Sequence, residues 1–392
     1  MSNYKTTKAA CYSGFVVQAV VNNFLPLLFI VFQDRYSIGY ERLGRLILMN
    51  FAVQIFADIM TAKIVEKIGY RASAVLCQAS AAAGLLLLSV LPSVIKDTYL
   101  AVTLSLVVYA FASGLMEVIL SPMVEILPTG RKSANMAFLH SFYCWGQALT
   151  IVVTTLLIHL FGYGRWQFIP AVWAVIPIVN MLCFLRVPII EPARDEVTTP
   201  LKSLLCNRKF ICFMVLMICA GASEITMSEW ASLFAQQGLG LSKVAGDLAG
   251  PFAFAIFMGT GRIVYSKFAD RVSIRTVIAV MGALCTVCYI VVGVCKLPIF
   301  ALIACAACGF TVSVTWPGTY SAAAASFPRG GMWMFAVLAL CGDSGCSLGP
   351  WLLGATAEVS NLNTGFIVAA IFPIIMVITA LFFMNGNGRQ SN

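Results

Sequence analysis

A chain of 392 residues that is 60% hydrophobic and only 10% charged, with a mean hydropathy of +0.91, is not a soluble globular domain, in which roughly a quarter of residues carry charge. The formal charge of +9 does not mark a nucleic-acid binder, because the basic residues sit in short segments between apolar runs. This is the composition of an all-α, multi-pass membrane protein, and the useful unit of counting is the apolar span of about 20 residues.

Twelve spans are predicted, near 9–33, 42–64, 72–91, 98–127, 134–160, 166–187, 209–236, 245–267, 274–295, 298–327, 332–355 and 361–385. The first holds Gln18, Asn22, Asn23 and Pro26 and has no small-residue cleavage site, so it reads as a retained helix rather than a secretory signal. With the N-terminus placed in the cytoplasm, 17 Lys and Arg fall inside and 7 outside, with Arg262 within a span. The positive-inside rule therefore puts both termini in the cytoplasm, and the inner (cytoplasmic) membrane is the expected location.

Span two carries Asn50, Gln54 and Asp58 at intervals of four, one polar stripe on an apolar helix. Span four repeats the pattern with Gly114, Glu117 and Ser121, and span five with His140, Tyr143 and Gln147. Interhelical hydrogen bonding, about 0.6 kcal/mol on average in a bilayer, is the plainer use of Asn50 and Gln54. A carboxylate at the bilayer centre costs roughly 2.5–3.5 kcal/mol on insertion scales, so Glu117 is expected to mark an ion, proton or substrate path. His140, with an unperturbed pKa of about 6.5, is read either as hydrogen-bonded glue or as a proton relay.

Pro188, Glu191, Arg194, Asp195, Glu196, Pro200 and Lys202 make 188–208 the longest polar stretch, expected to be a cytoplasmic linker between an N-terminal half (1–187) and a C-terminal half (209–392). Span seven carries Glu224, Glu229 and Trp230. Five residues put the two acids about 140° apart around a helix, so Glu224 is favoured for the cavity and Glu229 for the outer mouth. Span eight ends in Gly259-Thr-Gly261-Arg262, and Arg262 is the counterpart of Asp58 at an offset of 204. Both are expected to act as structural or gating charges. Pro317 and Gly318 in Thr315-Trp316-Pro317-Gly318-Thr-Tyr320 predict a broken helix, tolerated where it lines a cavity. Span eleven offers Asp343 with Ser347 one turn on, read either as a titratable or cation-binding group or as half of a buried pair with an arginine such as Arg262.

Cys285-x-x-Cys288 and Cys305-x-x-Cys308 have metal-like spacing but lie in apolar helices without His partners, so no metal is expected. No Walker-type loop and no nucleophile constellation is present, so neither an enzyme nor an ATP-driven pump is expected, and no cofactor.

The halves echo each other. Glu66-Lys67-Ile-Gly69-Tyr-Arg71 after span two returns as Asp270-Arg271-Val-Ser273-Ile-Arg275 after span eight. Gly114 and Pro122 return as Gly309 and Pro317, and Gly146 as Gly345. Two repeat-related six-helix halves with an acidic-basic turn after the second helix of each resemble the major facilitator superfamily. The turn is similar to its signature Gly-x-x-x-Asp-Arg-x-Gly-Arg-Lys, with Ala62, Glu66 and Tyr70 as departures. Glu66, Arg71, Asp270 and Arg275 are then expected as gating or structural charges.

Within that superfamily, Val21-Asn22-Asn23, Gly114-x-x-Glu117-x-x-x-Ser121-Pro122 and Leu139-His140-Ser-Phe142-x-x-x-Gly146 resemble segments of the fucose permease group of proton-coupled sugar symporters. The resemblance implies coupling and sugar recognition for Glu117 and sugar contacts for Asn22 and Asn23. Glu224 and Trp230 resemble a seventh-helix Glu and Trp of the group. Ser121 replaces an Asn, Tyr143 stands where a sugar-facing Asn is found, and Pro26 occupies the place of a first-helix Asp. Trp230 is open to sugar stacking or a place in the interfacial belt, and Trp316 and Tyr320 to stacking or plain packing. The implied function is a monomeric secondary transporter of a sugar or sugar derivative, coupled to protons, with the bilayer and a small solute as its partners. His140, Tyr143, Gln147 and Glu224 join the expected binding residues, and Asp343 joins Glu117 as a coupling candidate. An exporter of drugs or amphipathic cations, and a non-transporting sensor or scaffold on the same fold, are the other readings.

Overall fold

The computed structural model describes residues 4–38, 40–128, 131–190, 199–235, 240–242, 245–246, 248–269, 271–295 and 297–383. Asp270, the linker residues 191–198, and Lys243, Lys296 and Arg389 of the charge count lie outside the described residues. The described residues are helical, with no strand among them.

Helices α1 (Lys5–Leu27) and α2 (Phe29–Tyr36) make the first span. Pro26, which has no N–H to donate, stands at their junction. Helix α3 (Tyr40–Val94) is two spans joined at Gly69, whose φ of 78° and ψ of 171° suit a residue without Cβ. Helix α4 (Thr98–Glu125) begins at Asp97, which accepts from the Leu100 N–H at 3.2 Å. Helices α5 (Lys132–Phe161) and α6 (Phe168–Arg186) follow. After the short α7 (Leu201–Leu205), Asn207 caps α8 (Arg208–Leu233) by accepting from Lys209 and Phe210.

A π turn at Leu248–Phe252 leads into α9 (Ala253–Phe268), followed by α10 (Ile274–Val294). Helices α11 (Pro298–Val312) and α12 (Thr315–Ser326) form one span broken before Pro317. Helix α13 (Gly331–Val359) is the eleventh span, and α14 (Leu362–Ala369) with α15 (Ile371–Ile378) is the last. Ten described stretches are long and apolar enough to cross a bilayer. One of them, Arg45–Val94, is the pair joined at Gly69. With α1 as a further span, the architecture is the twelve-helix one.

The chain divides into two compact units, Met1–Pro128 with Phe142–Glu196, and Thr129–Ser141 with Val197–Asn392. The beginning of α5 therefore belongs to the second unit, where Ala134 and Ala137 pack with Tyr265, Ala269 and Val314.

The internal repeat is visible as repeated contacts. A Cβ on Gly114 of α4 would stand 2.7 Å from Gln54 O of α3, and one on Gly309 of α11 would stand 2.3 Å from Phe254 O of α9. Each half thus crosses its second and fourth spans at a glycine, close enough for backbone to meet backbone. The last basic residue of the loop motif also repeats its work. Arg71 donates to the Phe184 and Leu185 carbonyls at the end of α6, at 2.9 and 3.1 Å. Arg275 donates to the Ala380 carbonyl at 2.7 Å and to the Leu381 carbonyl beyond α15. The last carbonyls of a helix lack intrahelical donors and carry partial negative charge, which suits the guanidinium of Arg71 at the end of α6, and Arg275 likewise reaches two carbonyls of the π turn Thr379–Phe383 that follows α15.

Candidate functional site

In the first unit, Gln18 and Asn22 lie one turn apart on α1, and Ser113 and Glu117 one turn apart on α4. The two edges meet as an antiparallel ladder. Gln18 Nε2 donates to Glu117 Oε2 at 2.8 Å, and the Ser113 hydroxyl lies 2.9 Å from Asn22 Oδ1. The same hydroxyl lies 3.0 Å from Gln54 Oε1 on α3. It has one proton and serves one of those oxygens at a time. Asn23 Nδ2 donates to the Ala19 carbonyl at 2.9 Å and to Tyr143 OH of α5 at 3.3 Å.

Glu117 is 6% exposed, Gln18 3% and Gln54 2%. Three buried amide atoms in this region, Gln18 Oε1, Asn50 Oδ1 and Gln54 Nε2, have no hydrogen-bond partner among the described residues. An unmet buried polar atom costs about 1–3 kcal/mol, so a fold that keeps three of them leaves two acceptors and one donor for something else. That set, beside a carboxylate, suits a solute bearing several hydroxyl groups, each both donor and acceptor.

The second unit is built around Arg262 on α9. Pro317 has no N–H, so the Ser313 carbonyl four residues earlier loses its helical donor. Arg262 Nε supplies the replacement at 3.0 Å. Its other nitrogens donate to the His140 carbonyl at 2.7 Å and to Glu224 Oε2 at 3.2 Å. Both partners of the ion pair are buried. Arg262 is paired with Glu224, and the Asp343 carbonyl accepts from Ser347 Oγ at 3.1 Å. Glu224 is buried and Glu229 exposed, as the 140° between them requires.

The aromatic residues of this unit are packed. Trp316 lies against Gly342, where a Cβ would come within 2.7 Å of its Cζ2, and Trp230 lies against Gly354 at 3.0 Å. Tyr320 is enclosed by the rings of Trp316, Phe335 and His140, with centroids 6.4, 5.4 and 5.9 Å away.

The stripe read on span five is therefore divided: Tyr143 and Gln147 fall in the first unit and His140 in the second. Gly114 is pressed on the α3 backbone, and Ser113 beside it carries the polar contact. Asp58 is fully buried, Asn50 and Ser121 are buried, and Glu66 is exposed. Sequence reasoning missed Gln18 and Ser113 as site members, although their spacing to Asn22 and Glu117 is the signal used on span two. Among the described residues no group of three or more His, Cys, Asp or Glu is placed to hold a metal. Cys285 and Cys308 face each other with sulfurs 3.7 Å apart.

Comparison with known proteins agrees with this architecture. FucP, the E. coli fucose:proton symporter, solved in an outward conformation, superposes with a TM-score of 0.81 at 15% identity, over 97% of this chain and 99% of that one. The proton:xylose symporter XylE, bound to 6-bromo-6-deoxy-D-glucose, superposes with a TM-score of 0.79 at 10% identity, over 95% of this chain and 94% of that one. At these identities the likeness is one of fold. The membrane protein MosC of Rhizobium meliloti is 24% identical over 284 residues, 71% of this chain and 67% of its own length. The family model of the Major Facilitator Superfamily matches residues 10–350, and the chain is a member of that superfamily, a transporter and not an enzyme.

Proposed function

We propose that this transporter is a secondary active carrier that moves a sugar or sugar derivative together with a proton, by alternating access. The observation that supports the reading most is the amide-lined surround of Glu117, with acceptors and a donor left over beside a buried carboxylate. Asn22, Asn23, Gln54, Tyr143 and Gln147 would meet the solute's hydroxyls, and Glu117 would take the proton. Protonation removes the charge that the bilayer centre penalises, so the loaded site closes without a bare carboxylate. Asp343 is proposed as a second titratable group, and Asp58, Glu66, Arg71, Asp270, Arg262 and Arg275 as structural or gating charges. The carrier would be monomeric in the inner membrane, with both termini in the cytoplasm and 188–208 as the linker between halves 1–187 and 209–392.

The test begins with thermal-shift screening of purified protein against neutral sugars, glycosides, nucleosides and cationic drugs, followed by counterflow in proteoliposomes with any compound that stabilises. A sugar that both stabilises and exchanges supports the reading. Stabilisation by amphipathic cations alone overturns it. Glu117→Gln should abolish pH-driven uphill uptake and leave exchange intact, and full uphill uptake in that variant would sink the coupling role.

A further inference from the structure

The geometry points to Gln18 as the positioning residue that holds Glu117 in both of its protonation states. The inference rests on Glu117 being the proton carrier. Gln18 gives Glu117 one hydrogen bond, from Nε2 to Oε2 at 2.8 Å. The other end of the same amide, Oε1, is buried and has no partner among the described residues. An ionised carboxylate only accepts hydrogen bonds, and a carboxylic acid also donates one. A primary amide carries both complements on one plane. The ionised form of Glu117 uses the amide N–H. When a proton arrives at the carboxylate, the new O–H has the waiting Oε1 as its acceptor, and the N–H keeps its place on the other oxygen. No covalent bond of Gln18 changes, and the proton stays on Glu117 until it leaves to the aqueous side.

Few titratable groups lie on the helices packed around this pair. Helix α1 brings no ionisable side chain between Tyr12 and Asp34. The spans of α3 packed on α4 bring Asp58 and Cys77, and Gln54 and Gln78 are engaged with Ser113 and Met116 of α4. Asp58 follows Gln54 by one turn of α3, and Tyr109 and Glu125 lie on α4 itself, each two turns from Glu117.

Infrared difference spectroscopy of the purified, full-length carrier across a pH titration tests this, with isotopically labelled glutamine to mark side-chain amides. The expected result is a carboxylic-acid carbonyl band that is lost in Glu117→Gln. A glutamine amide carbonyl band should move to lower frequency in step with it, also lost in that variant. In Gln18→Met, which keeps the chain length and removes the amide, the acid band should rise in frequency. The labelled wild-type protein answers the question even if that variant does not fold. An acid band that disappears in Glu117→Gln while no glutamine amide band follows it overturns the role of Gln18 and leaves proton coupling standing. The absence of any titrating band that depends on Glu117 overturns the coupling reading and this inference with it.

Discussion

The polar groups around Arg262 and those around Glu117 are used in opposite ways. In the second unit Arg262 places its Nε and both terminal nitrogens on named acceptors, the Ser313 carbonyl, the His140 carbonyl and Glu224, and the aromatic residues beside it are packed on glycines and on one another. In the first unit the amides around Glu117 keep atoms with no partner among the described residues. A closed polar centre holds a structure together. An open one keeps binding capacity in reserve at the expense of stability. Stability should therefore respond most to substitution around Arg262, and transport to substitution around Glu117.

The largest stability effect is expected at the closed centre. Arg262→Met leaves Glu224 buried without its cation and should cost about 3–5 kcal/mol, read as a lowered unfolding midpoint in detergent. The double variant Arg262→Met with Glu224→Gln should recover a substantial part of that loss. No recovery would mean that the bonds to the Ser313 and His140 carbonyls carry the stability and the ion pair does not.

Next comes the helix crossing at Gly345, where a Cβ would stand 2.0 Å from the Ile218 carbonyl of α8. Backbone cannot step aside like a side chain, so Gly345→Ala should lose about 1–3 kcal/mol. Gly14→Ala, whose Cβ would meet the movable end of Leu120 at 2.6 Å, should lose less.

Arg71→Ala and Arg275→Ala each remove one helix-end tie, for about 1 kcal/mol apiece. The two losses should be similar, and a large disparity would break the repeat equivalence of the two turns. The smallest stability effect belongs to the open centre. Gln54→Leu removes an unmet buried N–H and leaves Ser113 its bond to Asn22, so the unfolding midpoint should hold or rise. Counterflow of a stabilising sugar should nevertheless fall at least about tenfold, the loss of roughly one hydrogen bond's worth of binding. A stable variant with undiminished counterflow would contradict the open-centre reading.

How much of this was legible follows from what a bilayer demands. Long apolar runs, the polar turn at Gly69 and the repeated glycines are strong signals, because a chain in lipid has few ways to satisfy its backbone. Spacing gives the face of a helix, and so Glu117 and Gln54 could be placed on polar stripes in advance, while Asn22 comes from the family resemblance. It does not say which neighbour that face meets. His140 shares a face with Tyr143, yet its carbonyl goes to Arg262. Arg262 takes Glu224, which lies 38 residues away on α8, a choice that no periodicity contains. Gln18 reads only as one of the polar residues of the first span, and its partner is the acid.

The ties made by Arg71 and Arg275 reach beyond rigidity. Each draws a residue just past the second span to carbonyls of the sixth span of its own half, 113 or 114 residues downstream in one case and 105 or 106 in the other. Everything the first tie needs has been synthesised once residue 186 is made, before the second half exists. Arg71 can be fastened to α6 while the rest of the chain is still being translated, whereas the tie of Arg275 must wait until residue 381 is made.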